Sequence, residues 1–119
     1  MREIVVCTTC RYAADAQRGP DGRTGGEILL GLLRDRANGI RIADQACLWG
    51  CGRPCNVAFR DSARFSYFAG GFAPTEQSAD AILAWFALHG ETPDGQVPFR
   101  SWPDAMRGRF VARIPPVAP

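Results

Sequence analysis

The stretch Cys47-Leu48-Trp49-Gly50-Cys51-Gly52-Arg53-Pro54-Cys55 places three cysteines in nine residues, and Cys7-Thr8-Thr9-Cys10 answers it near the start of the chain. The C-x3-C-x3-C spacing would line one face of a helix. Gly50, Gly52 and Pro54 argue against one, because glycine weakens a helix interior and proline removes a donor and collides with the preceding turn. The stretch is therefore read as a loop. Glycines in a thiolate loop have a use: without a Cβ they let main-chain N–H groups turn toward an anionic sulfur or a metal.

Working outward, Arg2 to Cys7 is apolar and β-branched, the composition of a buried strand that delivers Cys7 and Cys10 at its C-terminal end. Arg11 to Gly26, with Gly19-Pro20-Asp21-Gly22 and Gly25-Gly26, lacks an apolar period and reads as a loop over the site, with a short helical turn near Tyr12 to Gln17. Thr24 and Glu27 form a capping-box pattern, and Ile28, Leu29, Leu32 and Leu33 continue it as a helix to Asn38-Gly39. Ile40 to Ala43 alternates as a short strand leading into the cysteine loop.

Beyond Cys55, Asn56 to Arg60 and Arg64 to Phe68 have the spacing of a hairpin, with Phe65, Tyr67 and Phe68 as core or dimer surface. A second helix opens at Pro74-Thr75, carries Ala79, Ile82, Leu83, Trp85 and Phe86 inward, and stops at Gly90. His89 is assigned to its surface. The extension from Thr92 to Pro119 holds six of the nine prolines and one strand-like run at Arg109 to Arg113, and is expected to wrap the domain. The expected architecture is one α/β domain over residues 1–119, a mixed sheet of about four strands flanked by two helices, with a proline-rich C-terminal extension (92–119).

Composition narrows the function classes. Apolar residues make up 46% and charged residues 22%, ordinary values for a soluble domain. No apolar run approaches the ~20 residues of a membrane span, and Met1 to Cys7 is too short for the apolar core of a signal peptide. No membrane association and a cytoplasmic location are expected. The net charge of +2, carried by arginine without a single lysine, gives no reason to expect nucleic acid. In a reducing compartment, grouped cysteines read as metal-binding or redox-active rather than as disulfides.

Thiolates select zinc, copper(I) or iron-sulfur clusters over hard cations. Zinc ribbons usually take two tight C-x2-C pairs or add histidines, whereas the second group here is C-x3-C-x3-C and His89 is isolated. A C-x2-C pair beside a βαβ pattern is also a dithiol redox signal, but that chemistry leaves Cys47, Cys51 and Cys55 without a role. Gly19 to Gly26 lacks the phosphate-loop pattern, with Glu27 where an anion would sit. No histidine or carboxylate pair is placed for hydrolysis, so the chain reads as a carrier rather than an enzyme.

Thirty-six residues separate Cys10 from Cys47, and this gap, the C-x3-C of Cys47 and Cys51 and the hairpin behind them resemble the thioredoxin-like 2Fe-2S ferredoxins. More closely, from the Cys7 pair to the tail Trp102-Pro103-Asp104-Ala105-Met106-Arg107-Gly108-Arg109-Phe110, the chain resembles a small bacterial family of metal-binding proteins related to those ferredoxins and often encoded near cobalamin biosynthesis genes. The resemblance implies a thioredoxin-like ferredoxin fold, a 2Fe-2S cluster, and one-electron transfer to a redox partner protein, with cobalamin biosynthesis as the pathway it suggests. It makes Cys7 and Cys10 ligands of one iron and Cys47 and Cys51 ligands of the other, and leaves room for a homodimer. The ferredoxins space their first pair more widely than C-x2-C and carry no ligand at the position of Cys55, so which four of the five thiols bind stays open. Zinc or cobalt held by the same thiolates, without redox work, is the alternative. Arg11 and Arg53 would dock a partner or damp the cluster's charge, and Trp49 would shield the cluster or form an interface.

Overall fold

β1 (Arg2–Cys7) runs through the middle of the sheet, as a strand with Ile4 and Val6 fully buried must. The computed structural model describes residues 1–118. A helix α1 (Gly25–Arg36) crosses over from β1 to β2 (Arg41–Gln45), which pairs parallel to it. The hairpin β3 (Val57–Asp61) and β4 (Ser66–Ala69) follows, with β3 antiparallel to β1 on its other side. Helix α2 (Glu76–Glu91) comes next, and β5 (Phe110–Ile114) closes the five-stranded order β2-β1-β3-β4-β5.

The two helices pack against each other on one face of the sheet, over a single core that includes Ile4, Leu29, Leu33, Phe59, Ile82 and Trp85. The other face carries charge: Glu3 lies opposite Arg41 and Arg60 in the register and pairs with both, at 2.9 and 3.3 Å. Along β3, buried Val57 and Phe59 alternate with Ala58 and exposed Arg60, which fixes the register, since a one-residue slip would turn Arg60 into the core.

The capping box at Thr24 is present in full: its hydroxyl accepts from the Glu27 amide at 3.0 Å and the Glu27 carboxylate accepts from the Thr24 amide at 2.8 Å. The region expected to hold a helical turn near Tyr12 instead folds back on itself through the antiparallel bridge Ala13–Ala16 and the bonds between Tyr12 and Gln17.

Three expectations are corrected. The sheet has five strands because the extension contributes one: Phe110 seats on Trp85, Trp102 and Tyr67 with ring centroids 4.7, 4.8 and 5.3 Å apart, anchoring β5 to β4. Helix α2 passes through Gly90, where the guanidinium of Arg2 lies so close that a Cβ would meet it at 2.8 Å, and is capped at Thr92. His89 is fully buried. Its Nδ1 accepts from Arg2 at 2.9 Å, and since arginine only donates, the ring is neutral with its proton on Nε2, donated to the Phe65 carbonyl at 2.8 Å. Burial first, with the nearby Arg2 and Arg64 charges, lowers its pKa, although the bond to Phe65 opposes them.

Candidate metal centre

All five cysteines gather at the C-terminal end of β1, beside the N-terminus of α1. The C-x2-C turn is clasped from three sides. The Cys7 amide donates to the Asn56 carbonyl at 3.2 Å, the Gly26 amide donates to the Cys10 carbonyl at 3.1 Å, and the Thr24 hydroxyl donates to the Thr8 carbonyl at 2.5 Å. Gln17 donates to the Thr9 carbonyl at 2.8 Å, so the long loop returns to brace the turn. Gly25 and Gly26 let α1 come this near: a Cβ on Gly26 would lie 2.0 Å from the Cys7 carbonyl oxygen, and one on Gly25 would lie 2.5 Å from that of Arg11 and 2.9 Å from the Cys55 sulfur. Cys7, Cys10 and Cys55 are consequently buried, at 2%, 5% and 1% exposure.

The second group is different in kind. Cys47 and Cys51 are exposed, on a loop without regular structure. Trp49, between them, holds a positive φ of 66° and donates its amide to the Cys47 sulfur at 3.3 Å. Gly50 and Arg53 close a turn through a 2.9 Å bond. Gly50 must be glycine here, since a Cβ would lie 2.5 Å from the Phe68 ring.

The two groups meet. A cavity of about 140 Å3 is lined by Cys7, Cys10 and Cys51, with Thr9, Arg11, Gln17 and Pro54 around it, and Cys47 stands near enough to Cys51 to perturb its titration. This space admits a handful of atoms and is well below the ~300–1,000 Å3 that organic ligands occupy. Among the described residues, no three His, Cys, Asp or Glu side chains converge on a point where one metal ion would sit. The thiols stand instead as two neighbouring pairs.

Electrostatics divides them further. Burial opposes the charged form of Cys7, but hydrogen bonds from the Thr9 hydroxyl, the Leu48 amide and the Cys10 thiol outweigh it, so Cys7 is held below the usual thiol range. Burial first, and then its neighbour Cys7, pushes Cys10 up to about 12, which the Asn56 main chain offsets only in part. Cys55 is also pushed up to about 12, by burial and then by the charge of Cys7. Cys51 is raised by its neighbour Cys47.

The five cysteines are thus brought together as the sequence indicates, while other assignments change. Trp49 is 92% exposed and shields nothing. Arg53 is a brace, its guanidinium donating to the Gly108 carbonyl at 2.7 Å and so tying the C-terminal extension to the cysteine loop. Arg11 stays exposed at the cavity rim. The sequence reading passed over Asn56, a buried amide that touches both thiol groups; its signal was a lone polar residue directly after Cys55 at the head of an apolar run.

No helix among the described residues is long and apolar enough to cross a membrane. No curated protein and no solved structure matches the chain. The family model described as "Protein of unknown function (DUF1636)" matches residues 4–116, nearly the whole length, and the chain belongs to that family.

Proposed function

We propose that this chain is an iron-sulfur protein that holds a 2Fe-2S cluster between the Cys7–Cys10 and Cys47–Cys51 pairs and exchanges single electrons with a protein partner. The observation that carries this reading is the meeting of two thiol pairs, distant in sequence, at one small cavity, with the Thr9 hydroxyl beside the Cys7 sulfur and the Trp49 amide donating to that of Cys47. A two-iron cluster takes two thiolates on each iron, and amide hydrogen bonds to the sulfurs help set its potential. The cluster would supply the one-electron chemistry. The protein's part is to hold the thiolates, bury one side and leave the other near the surface.

The fold supports the thioredoxin-like ferredoxin assignment: β1 and β2 parallel across a helix, then an antiparallel hairpin and a second helix on the same face. A cytoplasmic location, a role in cobalamin biosynthesis and a homodimer belong to the same proposal. Zinc or cobalt in the same thiolates remains the non-redox alternative, and a single ion would need the pairs to close on one another.

A second reading is favoured by a specific observation. Cys7 lies below the usual thiol range while burial pushes its neighbour Cys10 up to about 12, and α1 starts against the pair, the Gly26 amide donating to the Cys10 carbonyl. That is the pattern of an attacking thiolate and a buried resolving thiol in dithiol exchange.

Anaerobic purification followed by iron, zinc, cobalt and acid-labile sulfide analysis, with visible absorption before and after dithionite, separates these readings. About two irons and two sulfides per chain support the cluster. A colourless protein without sulfide, even after reconstitution, overturns it: one zinc or cobalt would favour metal binding, and a metal-free protein with a titratable Cys7–Cys10 disulfide would favour dithiol exchange.

A further inference from the structure

The geometry points to Asn56 as the positioning residue that holds the exposed cysteine loop in register with the buried cysteine turn. The inference rests on the reading that the two pairs form one site. Asn56 is fully buried and reaches both halves. Its main chain serves the turn: the carbonyl accepts from the Cys7 amide at 3.2 Å. Its side chain serves the loop: Nδ2 donates to the Gly50 carbonyl at 2.8 Å and lies 3.5 Å from the Arg53 carbonyl.

Satisfying those carbonyls does not require Asn56. Gly50 already accepts from the Arg53 amide at 2.9 Å, and Arg53 from the Gly71 amide at 3.1 Å. Asn56 also buries its own Oδ1 with no donor within reach. A buried, unpaired acceptor is a cost, and an apolar residue of the same shape would avoid it. What the amide adds is location. It fixes the Gly50–Arg53 turn against the entry to β3 just after Cys55 and, through Asn56 itself, against the Cys7–Cys10 turn. The neighbouring chain is trimmed to admit it: a Cβ on Gly50 would lie 2.8 Å from Nδ2, and one on Gly70 would lie 3.2 Å from the Asn56 Cβ.

The test uses the full chain, reduced and metal-free, as wild type and as Asn56→Leu. Amide hydrogen exchange over residues 47–53 is read beside exchange in β1 and β3. A positioning role predicts that exchange in the loop rises about tenfold, the worth of a buried hydrogen bond, while β1 and β3 change little. After reconstitution with iron and sulfide, the visible circular dichroism of the variant should also shift, because its sulfurs sit in a different arrangement. A uniform rise in exchange over the whole domain, or a loop that behaves as in wild type, overturns the inference. Should Asn56→Leu fail to fold, Asn56→Ala removes the same donor from the Gly50 carbonyl without added bulk, and unchanged exchange over residues 47–53 in that variant overturns it equally. The exchange result stands whether or not wild type takes up iron, so failure of the cluster reading and failure of this inference are told apart by the metal analysis.

Discussion

The Cys7–Cys10 turn and the Cys47–Cys51 loop carry the same chemical group in opposite settings. The turn ends a central strand, is locked to the start of α1 and to Asn56, and buries both sulfurs. The loop leaves its sulfurs exposed around a tryptophan with positive φ. The difference teaches how a small domain divides the work of a thiolate site. One half is held by the fold and is buried enough to shift thiol pKa values; the other stays near solvent, where, on the proposed reading, a cluster would be assembled and a partner would approach. Exposed aromatic residues often anchor such partners, and Trp49 is well placed to do so.

The largest effect expected from this asymmetry is in thiol reactivity. In the reduced, metal-free protein, pulsed alkylation followed by mass spectrometry should modify Cys47 and Cys51 long before Cys10 and Cys55. A thiol pushed up to about 12 holds less than about a thousandth of the thiolate of an ordinary one near 8.5 at the same neutral pH. Equal labelling of all five would mean that the two halves do not differ in solution.

Next in size is the seam beneath the buried half. Gly26→Ala places a Cβ 2.0 Å from the Cys7 carbonyl, a clash with backbone that no rotamer relieves. It should cost about 3 kcal/mol or more in denaturant unfolding, whereas Gly52→Ala, with nothing within 4 Å of the new Cβ, should stay within about 1 kcal/mol. Similar losses for the two would remove the distinction between a locked turn and an open loop.

A smaller, pH-linked effect tests whether the rigidity of the turn is inherited from β1, which begins at Arg2 and ends at Cys7. Arg2 binds Asp61 at 2.7 Å, donates to the Phe86 carbonyl and holds His89 neutral. Because the folded chain depresses the His89 pKa, the unfolded chain binds the proton first as pH falls. Stability is therefore full above the ordinary histidine value near 6.5 and declines below it, down to the depressed folded value, at no more than about 1.4 kcal/mol per pH unit. Denaturation curves between pH 5 and pH 8, on the order of the window where histidine titrates, should show this slope in wild type and lose it in His89→Gln. The smallest effect belongs to Trp49→Gly, which relieves a positive φ but adds chain freedom and should move stability by under about 1 kcal/mol.

Much of this was legible in the chain. β1, the capped helix α1, the hairpin and the amphipathic α2 follow from local patterns that tertiary packing reinforces: periodicity, Thr24 with Glu27, and the Asp61-Ser62-Ala63 turn. Two local cysteine groups were legible from spacing, while the meeting of Cys7 and Cys10 with Cys47 and Cys51 was implied by the family resemblance, which left Cys55 open. What local pattern could not carry was pairing at a distance. Arg109 to Arg113 reads as a strand, but only the aromatic cluster on α2 shows that it joins the sheet. His89 falls three residues after Phe86 and seven after Ile82, on the buried face of α2; its titratable ring suggested the surface, and the Arg2 and Phe65 partners that make its burial tolerable come from elsewhere in the chain. Asn56 was passed over for the same reason, since its contacts are with Cys7, Gly50 and Arg53 rather than with its sequence neighbours.

The central claim, that two pairs of thiols and not the fifth hold the cluster, is tested most directly by iron and sulfide content across five single Cys→Ser variants reconstituted alongside wild type. The account predicts about two irons and two sulfides in wild type and in Cys55→Ser, and loss of the native complement in each of Cys7→Ser, Cys10→Ser, Cys47→Ser and Cys51→Ser. Loss in Cys55→Ser, full retention in any of the other four, or no sulfide in wild type would contradict it.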